Sequence, residues 1–191
     1  MNRLLGAAGI VGGAVLLSAF LIGIPEWFWD LRMTLYLVGA IAVVVGVHRR
    51  QADAAPTLSL AVAIAAIAAN GLYLARAVVF PNSPWHPFAG DNGMVFFYAG
   101  LATWIADTAF GVVALRLGAV TRWGALALAI GSALSILGMD RLELTSEANP
   151  TIFGPIGLIG VALNGVAWIL LGVDLVLEGR AVPRLRSALA R

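Results

Sequence analysis

Long apolar runs separated by short polar segments define this chain. Six runs approach the roughly 20 residues that an α-helix needs to cross about 30 Å of hydrocarbon. They predict helices at residues 4–24, 33–48, 56–80, 94–115, 123–139 and 152–177. We therefore predict an all-α integral membrane protein, in which a six-transmembrane-helix bundle forms a single domain over residues 1–191.

The composition favours lipid over water as the solvent of these helices. Hydrophobic residues make up 61% of the chain and charged residues 12%. Soluble domains carry about 25% charged residues. A soluble domain of this size would leave much of its apolar surface exposed to water. The bilayer is therefore the expected partner of the helices.

The first apolar run also has features of a signal peptide, because Arg3 precedes it. The run is longer than a usual signal-peptide core, and no clear Ala-x-Ala cleavage site follows it. We expect a retained helix.

Arginine is distributed unequally between the two sets of helix ends. Three arginines lie at the ends that follow the first, third and fifth runs: Arg32, Arg76 and Arg141. The opposite ends hold nine: Arg3, Arg49, Arg50, Arg116, Arg122, Arg180, Arg184, Arg186 and Arg191. Cytoplasmic loops carry the excess of basic residues. The expected location is the inner (plasma) membrane of a bacterium, with the N and C termini cytoplasmic.

Three polar residues fall at similar depths within three different runs. Counted from the outer ends at 1.5 Å per residue, Asp107 lies about 20 Å deep, Asn164 about 18 Å and Asn70 about 15 Å. An acid at such a depth is costly and should face the interior of the bundle, where apolar surroundings favour its protonated form. We predict a polar site around Asp107, with Asn70 and Asn164 as hydrogen-bond partners.

Each residue of this layer has an aromatic side chain one helical turn away, on the same helix face. These neighbours are Trp104, Tyr73 and Trp168. They are consistent with an aromatic-lined cavity and also with ordinary packing. An Asn-Gly pair recurs at Asn70 and Asn164, which is a weak indication of inverted repeats.

Two functions fit this pattern. One is a small transporter or channel-like protein that moves a proton or a small solute through the site around Asp107. The other is a non-catalytic membrane subunit or assembly partner, in which Asp107 bonds neighbouring helices together. A homo-oligomer is compatible with either function.

The residue inventory excludes several other classes. The chain has no Cys and no Lys, which excludes thiol and lysine chemistry. No nucleotide-binding motif appears, and the basic residues mark orientation rather than nucleic-acid binding. We expect no cofactor, no metal and no enzymatic activity. A metal site at His86, Asp91, Asp140, Glu143 and Glu147 lacks ligand spacing, and Ser132 and Ser135 lack an activating histidine.

Three charged residues lie near the ends of the runs. Arg76 is too far from Asp107 for a direct salt bridge and is expected to extend to the outer interface. Asp174 and Arg116 are expected at the cytoplasmic boundary, where they could pair.

Overall fold

The computed structural model describes residues 1–21, 27–79, 91–138 and 155–177, and these residues contain helices and short turns but no strand. The helices are α1 (Asn2–Leu21), α2 (Trp27–Gln51), α3 (Pro56–Val79), α4 (Asp91–Leu117), α5 (Arg122–Leu137) and α6 (Pro155–Leu177). The all-helical class predicted from the apolar runs is therefore confirmed.

Four of the helices are long and apolar enough to cross a membrane. The qualifying segments are Leu31–Gln51, Pro56–Ala75, Tyr98–Leu117 and Pro155–Leu177. Two shorter apolar segments, Asn2–Ser18 and Arg122–Leu137, complete the bundle. These lengths and compositions are those of a protein embedded in a membrane.

The start of α2 differs most from the prediction. The second helix was expected at residues 33–48, yet it begins at Trp27 and ends at Gln51. Residues 27–32 contain neither Gly nor Pro, so nothing in the backbone interrupts the helix there. Arg32 consequently lies inside a helix rather than in a loop.

A glycine ends α4 and begins the short turn that leads into α5. Gly118 follows α4 with a φ of 63°, the left-handed conformation that glycine adopts without a Cβ penalty. Its backbone N–H donates to the Ala114 carbonyl at 3.2 Å, which closes the last turn of the helix. Three residues separate this glycine from α5, so the two helices are antiparallel neighbours that pack against each other.

The six helices pack as a closed ring. Each helix contacts the next one along the chain, and α6 returns to contact α1. Contacts of α2 with α6 and with α4 cross the interior of this ring. A residue on the inward face of α2 can therefore meet side chains from both halves of the chain.

Glycines allow the closest helix contacts. A Cβ atom added at Gly13 of α1 would lie 2.5 Å from the carbonyl oxygen of Gly165 in α6. One added at Gly39 of α2 would lie 2.5 Å from the Ala8 carbonyl oxygen of α1. Small residues at such positions let transmembrane helices approach until their backbones touch.

One end of the bundle gathers the start of α1, the α2–α3 turn, the α4–α5 turn and the end of α6; we call it the N-terminal end. Arg49 contacts the Met1 sulfur atom at 3.2 Å. Arg50 forms an ion pair with Asp174, in which Nη1 lies 3.0 Å from Oδ2. The same Oδ2 atom accepts a hydrogen bond from the Thr121 backbone N–H at 3.0 Å.

Candidate functional site

The carboxyl group of Asp107 lies in the bundle interior, where α4 faces α3. Asp107 and Asn70 are both 0% exposed. The Asn70 side-chain amide donates to Asp107 Oδ1 at 3.0 Å and to the Ala66 carbonyl at 2.9 Å. The second bond anchors the amide to its own helix, so the first bond joins α3 to α4. The structure brings together two of the three polar residues that share a depth in the sequence.

Each member of this pair retains one buried atom with no hydrogen-bond partner in the described part of the chain. These atoms are Asp107 Oδ2 and Asn70 Oδ1. A buried acceptor without a donor costs about 1–3 kcal/mol. Both atoms are therefore available to a group that can donate hydrogen bonds.

Tyr36 of α2 also belongs to this group of buried residues, although depth along the apolar runs did not predict it. Its side chain is 1% exposed. The hydroxyl group lies beside Trp168 of α6, and α2 contacts α4, the helix of Asp107, across the ring interior. A tyrosine inside an apolar run was the available signal, because a buried tyrosine hydroxyl usually has a polar partner.

Aromatic side chains from four helices accompany the carboxyl group. Trp168 is 0%, Trp104 5% and Tyr73 7% exposed, and Tyr36 completes the set. The Tyr36 hydroxyl and the Trp168 indole N–H have no hydrogen-bond partner among the described residues. The four aromatic residues, Asp107 and Asn70 together are called the Asp107 cluster below.

Asn164 belongs to a different group of polar residues. Its Oδ1 atom accepts a hydrogen bond from the Ser132 hydroxyl at 2.9 Å, and its Nδ2 donates to Ser135 Oγ at 3.3 Å. All three side chains are 0% exposed, and they join α5 to α6. Since α3 and α6 share no contact among the described residues, Asn164 does not bond Asn70. We call this group the Asn164 cluster.

The structure describes the side chain of Arg32 but not that of Arg76. Arg32 lies one turn before Tyr36 on the same face of α2 and is 2% exposed, which corrects its expected place among loop charges. The side chain of Arg76, although its backbone belongs to α3, lies outside the described residues, as do the candidate metal ligands His86, Asp140, Glu143 and Glu147. No group of acids and histidines able to hold a metal occurs within the described residues.

At the N-terminal end, Asp174 pairs with Arg50 of α2 and not with Arg116. Arg50 also donates from Nη2 to the Asp174 carbonyl oxygen at 2.9 Å. The contact of α2 with α6 across the ring interior places these two helix ends together, which helix order along the chain does not predict. Nearby, His48 Nδ1 and the buried Ser59 hydroxyl are hydrogen-bonded at 2.8 Å across the α2–α3 turn.

Chemically, the Asp107 cluster can hold a proton or a small positively charged group. When it is ionised, the carboxyl group supplies a negative charge beside the neutral Asn70 amide. Comparison of the chain with family models, with curated proteins and with solved structures finds no match.

Proposed function

We propose that all six helices cross the inner membrane of a bacterium, with both termini in the cytoplasm. The unequal distribution of arginine supports this orientation. The N-terminal end carries Arg49 and Arg50 of α2 and Arg122 at the start of α5, so this end faces the cytoplasm in the proposed topology. Spanning by the two shorter segments is supported by the contacts of α1 and α5 with their longer neighbours in the ring.

Cysteine accessibility tests this topology directly. The chain has no Cys, so an introduced cysteine is the only thiol to be labelled. In intact spheroplasts a membrane-impermeant maleimide should label Asn82→Cys and Ser146→Cys. It should reach Ala54→Cys and Ala119→Cys only after the membrane is permeabilised. Labelling of all four positions in intact cells, or the reverse pattern, contradicts the topology.

We also propose that the protein is a small transporter whose coupling site is Asp107. The supporting observation is a carboxyl group that is fully buried in an apolar span and whose second oxygen has no hydrogen-bond partner in the described part of the chain. Ionisable residues inside transmembrane segments are rare, and they often mark proton relays or substrate pathways. An acid that served only to bond helices would be expected to use both oxygens.

Proton flux in liposomes tests the transport proposal. Wild type and Asp107→Asn are reconstituted in parallel, a membrane potential is imposed, and the internal pH is followed with a trapped fluorescent dye. The asparagine retains the size of the side chain and cannot exchange a proton. Wild type should move protons and Asp107→Asn should not. Ser132→Ala, which alters the Asn164 cluster, is the matched control and should retain flux. Equal flux in wild type and Asp107→Asn, or none in either, contradicts the proposal.

A second candidate is a non-catalytic membrane subunit, and the outer face of α3 favours it. This helix is 28% buried over its apolar window, against 50–56% for the other three qualifying segments. Its exposed face presents small residues at Ala61, Ala65 and Ala68, a spacing that allows a second helix to approach closely. Bulky substitutions such as Ala65→Leu should abolish co-purification with a stoichiometric partner or a second copy. A strictly monomeric wild-type chain in a mild detergent contradicts this candidate.

A further inference from the structure

We propose that the Asp107 cluster binds a small cation whose positive charge is carried on N–H groups, namely ammonium or a short protonated primary amine. This inference names the substrate class of the proposed transporter and rests on that function for its physiological meaning. The binding itself can be measured without any transport.

Several buried polar atoms of the Asp107 cluster lack a hydrogen-bond partner among the described residues. Asp107 Oδ2 and the amide oxygen of Asn70 can only accept hydrogen bonds when the acid is ionised. The Tyr36 hydroxyl can accept as well as donate, whereas the Trp168 indole N–H beside it can only donate. The two oxygen acceptors, on the hydrogen-bonded residues Asp107 and Asn70, match a ligand that brings several donors, as an ammonium group does.

These atoms belong to side chains from four different helices. Asn70 and Asp107 are hydrogen-bonded at 3.0 Å between α3 and α4. The Tyr36 hydroxyl of α2 lies beside Trp168 of α6, and α2 contacts both α4 and α6 across the ring interior. All four side chains are 0–1% exposed. A ligand among them would therefore lie inside the bundle and contact both halves of the chain.

The negative charge of the Asp107 carboxylate and the aromatic residues of the cluster also favour a cation as the ligand. No basic side chain of the described residues is hydrogen-bonded to Asp107, so a bound cation would place a positive charge directly beside the carboxylate. The faces of Tyr and Trp attract cations, most strongly where water is excluded. An inorganic ion such as sodium donates no hydrogen bond to the unpartnered oxygens of Asp107 and Asn70, and it retains its hydration more strongly. An N–H cation suits this mixture of acceptors and aromatic rings better.

Such binding would make the cation a competitor of the proton for one carboxylate, while a proton alone can still move through the site when the cation is absent. The ionised carboxylate can hold the proton or the ammonium group, but one excludes the other. Loss of the proton as the cation enters keeps the charge of the buried site unchanged. Exchange of the two species needs no second ionisable group at the site.

Thermal unfolding of the purified full chain in detergent tests this inference, since a ligand of the folded state raises the unfolding temperature, and the rise grows with the logarithm of ligand concentration above Kd. Helix loss is followed by circular dichroism in methylammonium chloride, with tetramethylammonium chloride and sodium chloride at equal concentration. Tetramethylammonium has the same charge but no N–H donor. We expect a concentration-dependent rise with methylammonium alone.

Three variants assign the effect to the site. Asp107→Asn should weaken methylammonium binding by about tenfold or more, because it removes a hydrogen bond to a charged group. Tyr36→Phe should weaken it by roughly three- to tenfold and keeps the inference testable if Asp107→Asn does not fold. Ser132→Ala, in the Asn164 cluster, should bind methylammonium as wild type does.

Three results would overturn the inference: no shift with methylammonium, as expected if the buried atoms hold only water; an equal shift with tetramethylammonium or sodium; and a shift that persists in Asp107→Asn. The binding and flux assays fail independently. Asp107-dependent proton flux without methylammonium binding rejects the ligand class and leaves transport standing. Binding without flux in liposomes does the opposite.

Discussion

The contact between α1 and α2 makes a quantitative prediction about a single added methyl group. Gly39 of α2 lies against α1, where an added Cβ would be 2.5 Å from the Ala8 carbonyl oxygen and 3.0 Å from the Gly12 Cα. Both neighbours are backbone atoms, which cannot rotate away. Ordinary contact begins about 1 Å farther out, so Gly39→Ala must push the two helices apart.

The expected cost follows from two opposing effects. Forcing extra volume into a packed interior costs typically about 1–3 kcal/mol. Replacing glycine by alanine within a helix recovers about 0.5–1 kcal/mol of backbone entropy. Gly39→Ala should therefore lower the free energy of unfolding by about 1 kcal/mol, and by no more than about 2.5 kcal/mol. Titration with a denaturing detergent in mixed micelles, followed by helical circular dichroism, measures this quantity.

Gly71→Ala is the matched control, because this glycine also lies within a helix but a Cβ added there meets nothing within 4 Å. It should raise the free energy of unfolding by about 0.5–1 kcal/mol. Changes of the same sign in the two variants would refute the α1–α2 packing described above.

Three further predictions concern the polar contacts. In a double-mutant cycle of Arg50→Ala and Asp174→Ala, the coupling should be about 0.5–3 kcal/mol in the unfolding titration, and a coupling of zero would contradict the ion pair. Asn164→Ala should lower the free energy of unfolding by about 1–2 kcal/mol, as it deprives two buried serines of a partner, yet should leave proton flux intact; loss of flux with a folded protein would place it in the transport site. Ser59→Ala should speed amide hydrogen exchange in the 52–55 turn, because it removes the hydroxyl bonded to His48, and unchanged exchange would show that this bond does not hold the turn.

Much of the fold can be predicted from the sequence because lipid imposes a simple constraint. A segment that enters hydrocarbon must satisfy its own backbone hydrogen bonds, so each apolar run becomes a helix. The third helix begins at Pro56 as predicted, since proline is tolerated in the first turn. Helix ends are less certain from hydropathy alone, because the amphipathic sequence Trp27–Arg32 continues α2 beyond its apolar part.

The candidate site was likewise predicted in part from the sequence. Depth along each run placed Asp107 and Asn70 at similar levels, and their hydrogen bond agrees with that estimate. Depth carries no information about the angular position of a helix in the ring. For that reason the sequence grouped Asn164 with them, whereas the structure places it between α5 and α6.

By itself, then, the sequence determined that the chain is helical, that its helices are apolar enough for a membrane, and that an acid lies within one of them. Only the tertiary structure decided which side chains surround that acid. Contacts of α2 across the ring interior bring Tyr36 beside Trp168 and pair Arg50 with Asp174. The physical reason is that hydropathy records the one-dimensional cost of entering lipid, while neighbours depend on how helix surfaces fit together in three dimensions.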